Sequence, residues 1–343
     1  MTSSAMQDPS RNPMGIMTVQ TYLYLDGIPA DAPGRADQPS FSFDPQGMWR
    51  FSIDDGWYAV EAAALELHRM FARAIFKGLP YNELLASAPT FIATLGHNSE
   101  AAGSKSDLED LLGLADRIPE LHRFLYLYDC QRLVSAIQEC TKELIQIQGE
   151  LYRTLNLESF FYPPMKHEDG TRYSTSPVVT KLFAFLSFLF IRMHSLLDYT
   201  VKVALEAEKL PTNFTNYPKM SSLNAQYGDR KRLGLNKESG TLFEDCEFLV
   251  TVETLRNHII HNGLLDDMPK GYEEIEDGVA TEKYLLMPDM TDGRFDRFRN
   301  RNLFYGREDK INLRLPFLVT EFLGKQEATL RLISEDLRNR QGL

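Results

Sequence analysis

The 343-residue sequence contains few cysteines and no long uninterrupted hydrophobic run. Its three cysteines, Cys130, Cys140 and Cys246, are odd in number and lack the spacing of a metal site, so they predict reduced thiols in a cytoplasmic protein. The most apolar run, 182–191, is too short to cross a bilayer and predicts no membrane span. The N-terminus also lacks the basic, apolar and small-residue pattern of a secretion signal, so we do not expect secretion.

The sequence has no excess of positive charge. Its formal net charge is −11 at pH 7, with 48 acidic residues against 37 Lys and Arg. A surface of that sign repels phosphates, so the composition argues against indiscriminate coating of a nucleic acid. Contact with RNA must then come from a local basic patch, and two segments provide one. The residues predicted to bind RNA are Arg230, Lys231, Arg297, Arg299 and Arg301.

Proline and glycine divide the chain into parts. The segment 161–176 contains two adjacent prolines and an Asp-Gly pair, which predicts a linker. Before it we expect a disordered leader over 1–16 and an α-rich N-terminal domain over 17–160 that carries a small β element. After it we expect a helical domain over 177–343 with a small β-hairpin insertion. The fold class predicted from the sequence is therefore mainly α.

Alternation of apolar and polar residues predicts strands over 19–25 and 49–53 that pair with each other, with a proline-containing loop between them. Helical periodicity then recurs along most of the chain. The predicted helices are 57–77, 81–95 with a break at Pro89, 119–155, 177–209, 242–261 and 315–337.

The helix predicted over 242–261 carries the residues that indicate chemistry. Its apolar residues recur three and four apart and form one stripe, and Asn262-Gly263 supplies a stop signal. His261 therefore falls in the last turn, where unsatisfied carbonyls suit it to exchange protons near neutral pH. Arg256 is predicted to lie within the stripe, so it must reach a partner, a cleft or an interface. Asn257 lies four residues before His261, on the same face.

The pattern Arg256-Asn257-x-x-x-His261 resembles the signature of the HEPN superfamily, all-helical domains often found as metal-independent ribonucleases and toxins. The apolar helix around 181–208 resembles the other core helix of that family. The resemblance covers at most 175–340, and only its six-residue motif is specific.

The resemblance implies an endoribonuclease that needs no metal or other cofactor. The RNA 2′-hydroxyl would attack the adjacent phosphorus, with His261 as acid/base, Arg256 as phosphate clamp and Asn257 beside them. Because one motif offers one histidine, such domains usually pair two copies in a homodimer. Family members often act as toxins or as stress or phage-defence effectors, which a neutralising or regulatory protein partner would accompany.

Other interpretations of the same residues remain open. An arginine bridged to a carboxylate and a histidine capping carbonyls are ordinary structural features of a helix end. The motif then belongs to a non-catalytic HEPN-like interaction module or to a structural regulator that assembles through its long helix. His258 and His261 are spaced for a metal, but no Cys or carboxylate with ligand spacing adjoins them, so we predict no metal and a solvated His258.

Two further patterns have both a functional and a structural interpretation. His194, Asp198 and Lys202 follow one another at four-residue spacing, so Asp198 is either a partner for Arg256 or His194, or part of a surface ion ladder. The segments 282–287 and 298–305 are predicted to form a hairpin across Asp292-Gly293. Alternating arginines and nearby aromatics on its second strand suit phosphates and stacked bases, or simply a solvated sheet face.

Overall fold

The structure, a computed structural model, describes residues 21–31, 35, 37–53, 56–162, 168–263 and 265–343. Over these ranges the chain is mainly α-helical with small antiparallel sheets, which confirms the predicted fold class at this level. The predicted leader, 1–16, lies outside the described residues. The α-helices of the described ranges are α1 Trp57–Ile75, α2 Tyr81–Ser87, α3 Lys105–Leu112, α4 Leu121–Leu157, α5 Pro177–Glu208, α6 Glu247–Asn262 and α7 Ile311–Gln341.

Local signals explain where several helices begin and end. Pro177 occupies the first turn of α5, where its missing N–H costs nothing. Pro89 has an extended backbone and separates α2 from a short 3-10 turn, as the sequence predicted. Ser104 caps α3 in a capping box: its hydroxyl oxygen accepts from the Asp107 N–H, and the Asp107 carboxylate accepts from the Ser104 N–H.

The N-terminal β element has more strands than the sequence indicated. Its order is β2-β1-β3-β4, so the two predicted strands do not pair directly because β3 lies between them. The segment expected to be a loop supplies β3, since Phe41 is fully buried and stacks on Phe51 at 4.9 Å and on Tyr152 at 4.4 Å. The strands are β1 Thr21–Tyr24, β2 Ala30–Asp31, β3 Ser40–Phe43 and β4 Trp49–Phe51.

The second half carries two small antiparallel sheets. The predicted hairpin of 282–287 with 298–305 is wrong: β7 pairs with β6 across Asp277-Gly278, and the Asp292-Gly293 turn joins β8 to β9. The acidic composition of β6 does not indicate a strand in the sequence, although alternate positions along β6 are buried in the structure. The strands are β5 Gly170–Ser174, β6 Gly271–Glu276, β7 Val279–Tyr284, β8 Met290–Thr291 and β9 Arg294–Phe295.

A continuous hydrophobic core links the two parts of the chain. The helices α4 and α5 pack along their lengths, α1 packs on α4 and α7, and α5 packs on α6 and α7. The predicted linker 161–176 lies between α4 and α5, and its described end forms β5, which pairs with β6. The predicted parts 17–160 and 177–343 therefore share one core in this structure.

By length and composition, α5 is the one helix of the described residues that could cross a membrane. A helix buried in the core of a protein can have the same length and apolar composition. The fully buried residues of α5 include Leu186, Phe190 and Leu197, and the helix packs against α4, α6 and α7. Burial against these helices accounts for the apolar residues on the inner face of α5.

Two buried asparagines join the N-terminal sheet to the helices. Asn156 of α4 accepts a hydrogen bond from the Tyr24 N–H and donates to the Tyr24 carbonyl, both at 3.0 Å. Asn312, in the first turn of α7, accepts from the Leu285 N–H at 2.9 Å and donates to the Leu25 carbonyl at 2.7 Å. Each amide thus satisfies backbone groups that burial would otherwise leave without partners.

We expect Asn312→Leu to lower the free energy of unfolding by about 2–4 kcal/mol, since two buried backbone groups lose their partner and each such loss costs about 1–3 kcal/mol. Urea unfolding followed by circular dichroism measures the change. The matched control is Asn339→Leu, because Asn339 is exposed near the end of the same helix. An equal loss in both variants would contradict the role assigned to the Asn312 amide.

Candidate functional site

The motif helix α6 begins later than predicted but ends as predicted. Residues before it are held by tertiary hydrogen bonds instead of helical ones: the Leu242 N–H donates to Thr329 Oγ1 at 2.8 Å, and the Leu242 carbonyl accepts from the Tyr227 hydroxyl at 2.6 Å. The helix therefore starts at Glu247. It stops at Asn262 because Gly263 has φ 99° and ψ −133°, a conformation that only glycine adopts readily.

The face that α6 buries differs from the predicted stripe. The buried residues follow three-residue spacing: Leu249, Val252, Leu255 and His258. Ile260, placed in the stripe from the sequence, is 47% exposed. Arg256 therefore lies beside the buried row, half-buried, and does not sit within it.

Arg256 makes a local contact in place of an ion pair. Its Nη1 donates to Asn257 Oδ1 at 2.8 Å, which fixes the guanidinium against the next residue along the helix. No carboxylate among the described residues pairs with it. The partner proposed for it, Asp198, instead faces His194, with 3.5 Å between His194 Nδ1 and Asp198 Oδ2.

His261 lies in the last turn of α6, as predicted, and both His261 and Asn257 are exposed. His261 follows Arg256 by five positions, which corresponds to about 140° around the helix axis. A single helix therefore does not direct both side chains to one point. Asn257 and His261 lie about 40° apart and share one side of the helix.

His258 was predicted to be solvated, and that prediction is wrong. Its residue is only 6% exposed, and its ring packs edge-on against Phe295 at 5.1 Å between centroids. The β8–β9 hairpin covers this side of α6 through Gly293, where a Cβ atom would lie 2.6 Å from the Glu247 carbonyl oxygen. Such a close approach requires glycine. The three-residue spacing of His258 after Leu255 was the available signal in the sequence.

The buried histidine leads to a cavity of about 840 Å³ at the end of α6. From the helix, His258 and Asn262 line it, with 3.4 Å between His258 Nδ1 and Asn262 Nδ2. We call this cavity the arginine pocket. The other residues that line the arginine pocket are Asp267, Arg297, Arg299, Asn300, Arg301, Asn302, Leu303 and Phe304.

The structure thus brings together three arginines that the sequence had assigned to RNA binding, but by a different geometry. They do not project from one face of a strand, because 298–305 is irregular. The segment instead turns sharply, with the Phe298 N–H donating to the Arg301 carbonyl at 2.9 Å and the Arg301 N–H donating back at 3.0 Å. This turn directs Arg297, Arg299 and Arg301 to one cavity.

The arginines that line the pocket, and Arg294 of β9 before them, have no carboxylate partner among the described residues. None of Arg294, Arg297, Arg299 and Arg301 forms an ion pair with a carboxylate of the described residues, and all four are exposed. Elsewhere arginines are commonly paired, as Arg192 is with Glu143 at 2.7 Å. Asp267 is the acidic residue that lines the pocket. A cluster of unpaired guanidinium groups attracts phosphate even when the whole chain is acidic.

The second predicted basic patch is used differently. The Arg230 guanidinium packs over the Tyr227 ring at 4.0 Å, and its Nη2 lies 3.6 Å from Asp245 Oδ1. Its side chain is only 11% exposed, so structural contacts account for it. Lys231 is exposed on the same 3-10 turn as Arg230.

No group of three His, Cys, Asp or Glu residues in the described ranges is arranged to hold a metal ion. His258 and His261 diverge, since one is buried against Phe295 and the other faces solvent. Burial raises the pKa of the Cys130 thiol well above its ordinary value, and burial also raises the pKa of the Cys140 thiol. Both groups therefore favour the unreactive protonated form.

Asp198 gives a pH-dependent contribution to stability. Burial raises the pKa of its carboxyl. Hydrogen bonds from His194 and from the Tyr227 N–H, the latter at 2.7 Å, lower that pKa and outweigh the effect of burial. The net pKa is below the ordinary value of 3.8. A depressed folded-state pKa stabilises the fold above the unfolded pKa and loses that effect as pH falls through the folded pKa.

We expect Asp198→Asn to reduce the free energy of unfolding by about 1 kcal/mol between pH 5 and 7, a size typical of a partly exposed ion pair. The difference from the unsubstituted chain should shrink below about pH 4, where the carboxylate becomes protonated. Urea unfolding across this pH range measures it. A loss that stays constant down to pH 2 would show that Asp198 acts through packing and not through charge.

Comparison of the chain with models of known protein families, with curated proteins and with solved structures finds no match. The resemblance to HEPN domains therefore remains a prediction carried by the residues of α6.

Proposed function

We propose that the protein is a metal-independent endoribonuclease of the HEPN type that acts as a homodimer. The observation that carries the proposal is the position of His261, exposed in the last turn of a helix whose neighbouring residues His258 and Asn262 line the arginine pocket. The exposed imidazole of His261 supplies a proton carrier, and the arginines of the pocket, which His261 itself does not line, supply binding sites for phosphate near the same helix end.

The reaction needs only these groups. The ribose 2′-oxygen attacks the adjacent phosphorus and loses its proton, and the bond to the 5′-oxygen of the next nucleotide breaks. The products are a 2′,3′-cyclic phosphate and a 5′-hydroxyl, which takes up a proton. His261 moves a proton in this scheme, and Arg256 stabilises the charge that develops on the phosphoryl oxygens.

A homodimer overcomes the separation of Arg256 and His261 around the helix. Since the two side chains lie about 140° apart on one α6, a second copy can place its Arg256 near the first copy's His261. Exposed apolar side chains near the end of α6 supply area for such a contact: Ile260 is 47% exposed and Met268 is 62% exposed.

A non-catalytic HEPN-like interaction module is the second candidate. It is favoured by the Arg256 guanidinium, which is half-buried and bonded to Asn257 and does not line the arginine pocket. In that case α6 serves a dimer or partner interface, and the pocket binds RNA without cleaving it.

The biological setting follows from the proposed chemistry. An endoribonuclease in the cytoplasm damages its own cell unless it is controlled, so a role as toxin or as stress or phage-defence effector calls for a neutralising or regulatory partner. This setting rests on the family resemblance.

We expect the purified protein to cleave RNA in excess EDTA and to leave cyclic phosphate ends. His261→Ala and Arg256→Ala should each lower the rate about 100-fold or more, the usual scale for loss of an acid/base group or of a charge-stabilising donor. Gel analysis of labelled RNA measures the rate, and analytical ultracentrifugation of each variant reports the oligomeric state.

The matched control is Arg331→Ala, which removes an exposed arginine of α7 that pairs with Glu327. Its cleavage rate should equal that of the unsubstituted protein. If no RNA is cut at any salt concentration, while Arg256→Ala and His261→Ala alter only assembly or stability, the interaction module replaces the ribonuclease. Circular dichroism of every variant separates these outcomes from misfolding.

A further inference from the structure

The arginine pocket is separate from the residues assigned to cleavage. Arg256, Asn257 and His261 do not line it, although His258 and Asn262 of the same helix do. Its arginines come from the segment after the β8–β9 hairpin, so the pocket can bind a ligand independently of the reacting groups. The chemistry of its lining residues determines which ligand it can bind.

Arg299 holds a backbone conformation that glycine adopts more readily than arginine, and its guanidinium lies over the Phe298 ring at 5.5 Å. Its φ is 54°, in the left-handed region that disfavours residues with a Cβ atom, especially long ones. Glycine would adopt this turn without strain, so an arginine at this position contributes its guanidinium and not a preferred conformation. Strained residues of this kind concentrate at binding sites.

The remaining lining adds hydrogen-bonding groups and an aromatic surface to the positive charge. Asn262, Asn300 and Asn302 each carry an amide with two donors and an acceptor, and Phe304 adds a ring. Asp267 adds an acceptor. Amides recognise the edges of bases, and aromatic rings stack on their faces.

Size and charge agree with one nucleotide. A cavity of about 840 Å³ lies within the range of about 300–1,000 Å³ typical of small-ligand sites. The single carboxylate, Asp267, among three arginines leaves net positive charge for a phosphate while offering an acceptor to an amino group of a base. A base held in a duplex has its pairing edge occupied and cannot present it to these amides.

We propose that the arginine pocket is a subsite for one unpaired nucleotide of an RNA strand, with its phosphate on the arginines and its base against the amides and Phe304. This inference rests on the proposed function in that it takes RNA as the source of the nucleotide. The subsite anchors the strand beside α6 and selects single-stranded over paired RNA.

The test measures binding without cleavage. The full chain with His261→Ala is titrated with a fluorescein-labelled, mixed-sequence RNA 12-mer, single-stranded or annealed to its complement, and fluorescence anisotropy reports affinity. We expect the single strand to bind at least tenfold more tightly than the duplex. The four nucleoside 5′-monophosphates should displace it at concentrations at least tenfold below ribose 5-phosphate, which has no base.

Variants in the same background locate the site. Arg299→Gly should weaken RNA binding at least fivefold and reduce the salt dependence of log affinity by a slope of about one, as loss of one phosphate contact does, without lowering the melting temperature. Replacing both Asn300 and Asn302 by Ala should remove the preference for nucleotides over ribose 5-phosphate. Arg331→Ala, which removes an equal charge elsewhere, should change neither affinity nor slope.

The outcomes separate this inference from the cleavage proposal. Binding with the expected variant effects, but no cleavage by the unsubstituted protein, upholds the subsite and rejects the ribonuclease. Cleavage by a protein whose RNA affinity is unaffected by Arg299→Gly overturns the subsite. Equal displacement by nucleotides and ribose 5-phosphate overturns base recognition, and mononucleotides that bind as tightly as the 12-mer overturn RNA as the source.

Discussion

The packing of α4 against α5 is the interaction on which the rest of the structure depends. Ion pairs and a buried hydrogen bond fix the two helices as antiparallel neighbours: Tyr126 donates to Glu206 at one end, Arg192 pairs with Glu143 in the middle, and Lys181 pairs with Glu158 at the other end. Glu206 is fully buried, so its carboxylate needs the Tyr126 hydroxyl as a donor, and the Ser222 N–H supplies a second at 2.6 Å. This polar contact holds the register of a long apolar interface, because apolar surfaces alone can slide past one another.

The site is built outward from that core. The helix α5 supports α6, which buries one row of side chains at three-residue spacing and leaves its last turn at the surface. The β8–β9 hairpin then packs on α6 through Gly293, and the chain that follows it turns back toward the helix end. The arginine pocket is thus formed where a rigid helix meets an irregular segment, which is how many binding sites combine positional accuracy with varied chemistry.

Charge is organised locally in this acidic protein. With a net charge of −11, its overall field repels nucleic acid. Many Lys and Arg side chains of the described residues form ion pairs with carboxylates, as Arg230 does with Asp245 and Lys325 does with Glu244. Arg297, Arg299 and Arg301 escape this neutralisation and lie around a single cavity. Such an arrangement favours a specific short contact with phosphate over extended coating, since only a ligand that reaches the pocket gains the attraction.

The sequence by itself determined the long helices α1, α4, α5 and α7 and the end of α6, because hydrophobic periodicity, Pro177 and Gly263 act within a few residues of where they lie. It also determined that His261 falls in the last turn of its helix, because Asn262-Gly263 ends the helix there. It predicted neither β3 nor β6, since both segments have compositions that resemble loops and become strands only when partners pair with them. The tertiary structure alone decided that His258 is buried, that Arg230 is occupied by Tyr227 and Asp245, and that three arginines meet at one cavity. The contact of His258 with Phe295 and the meeting of the arginines depend on how the β8–β9 hairpin and the segment after it pack against α6, whereas the contacts of Arg230 form within 227–245.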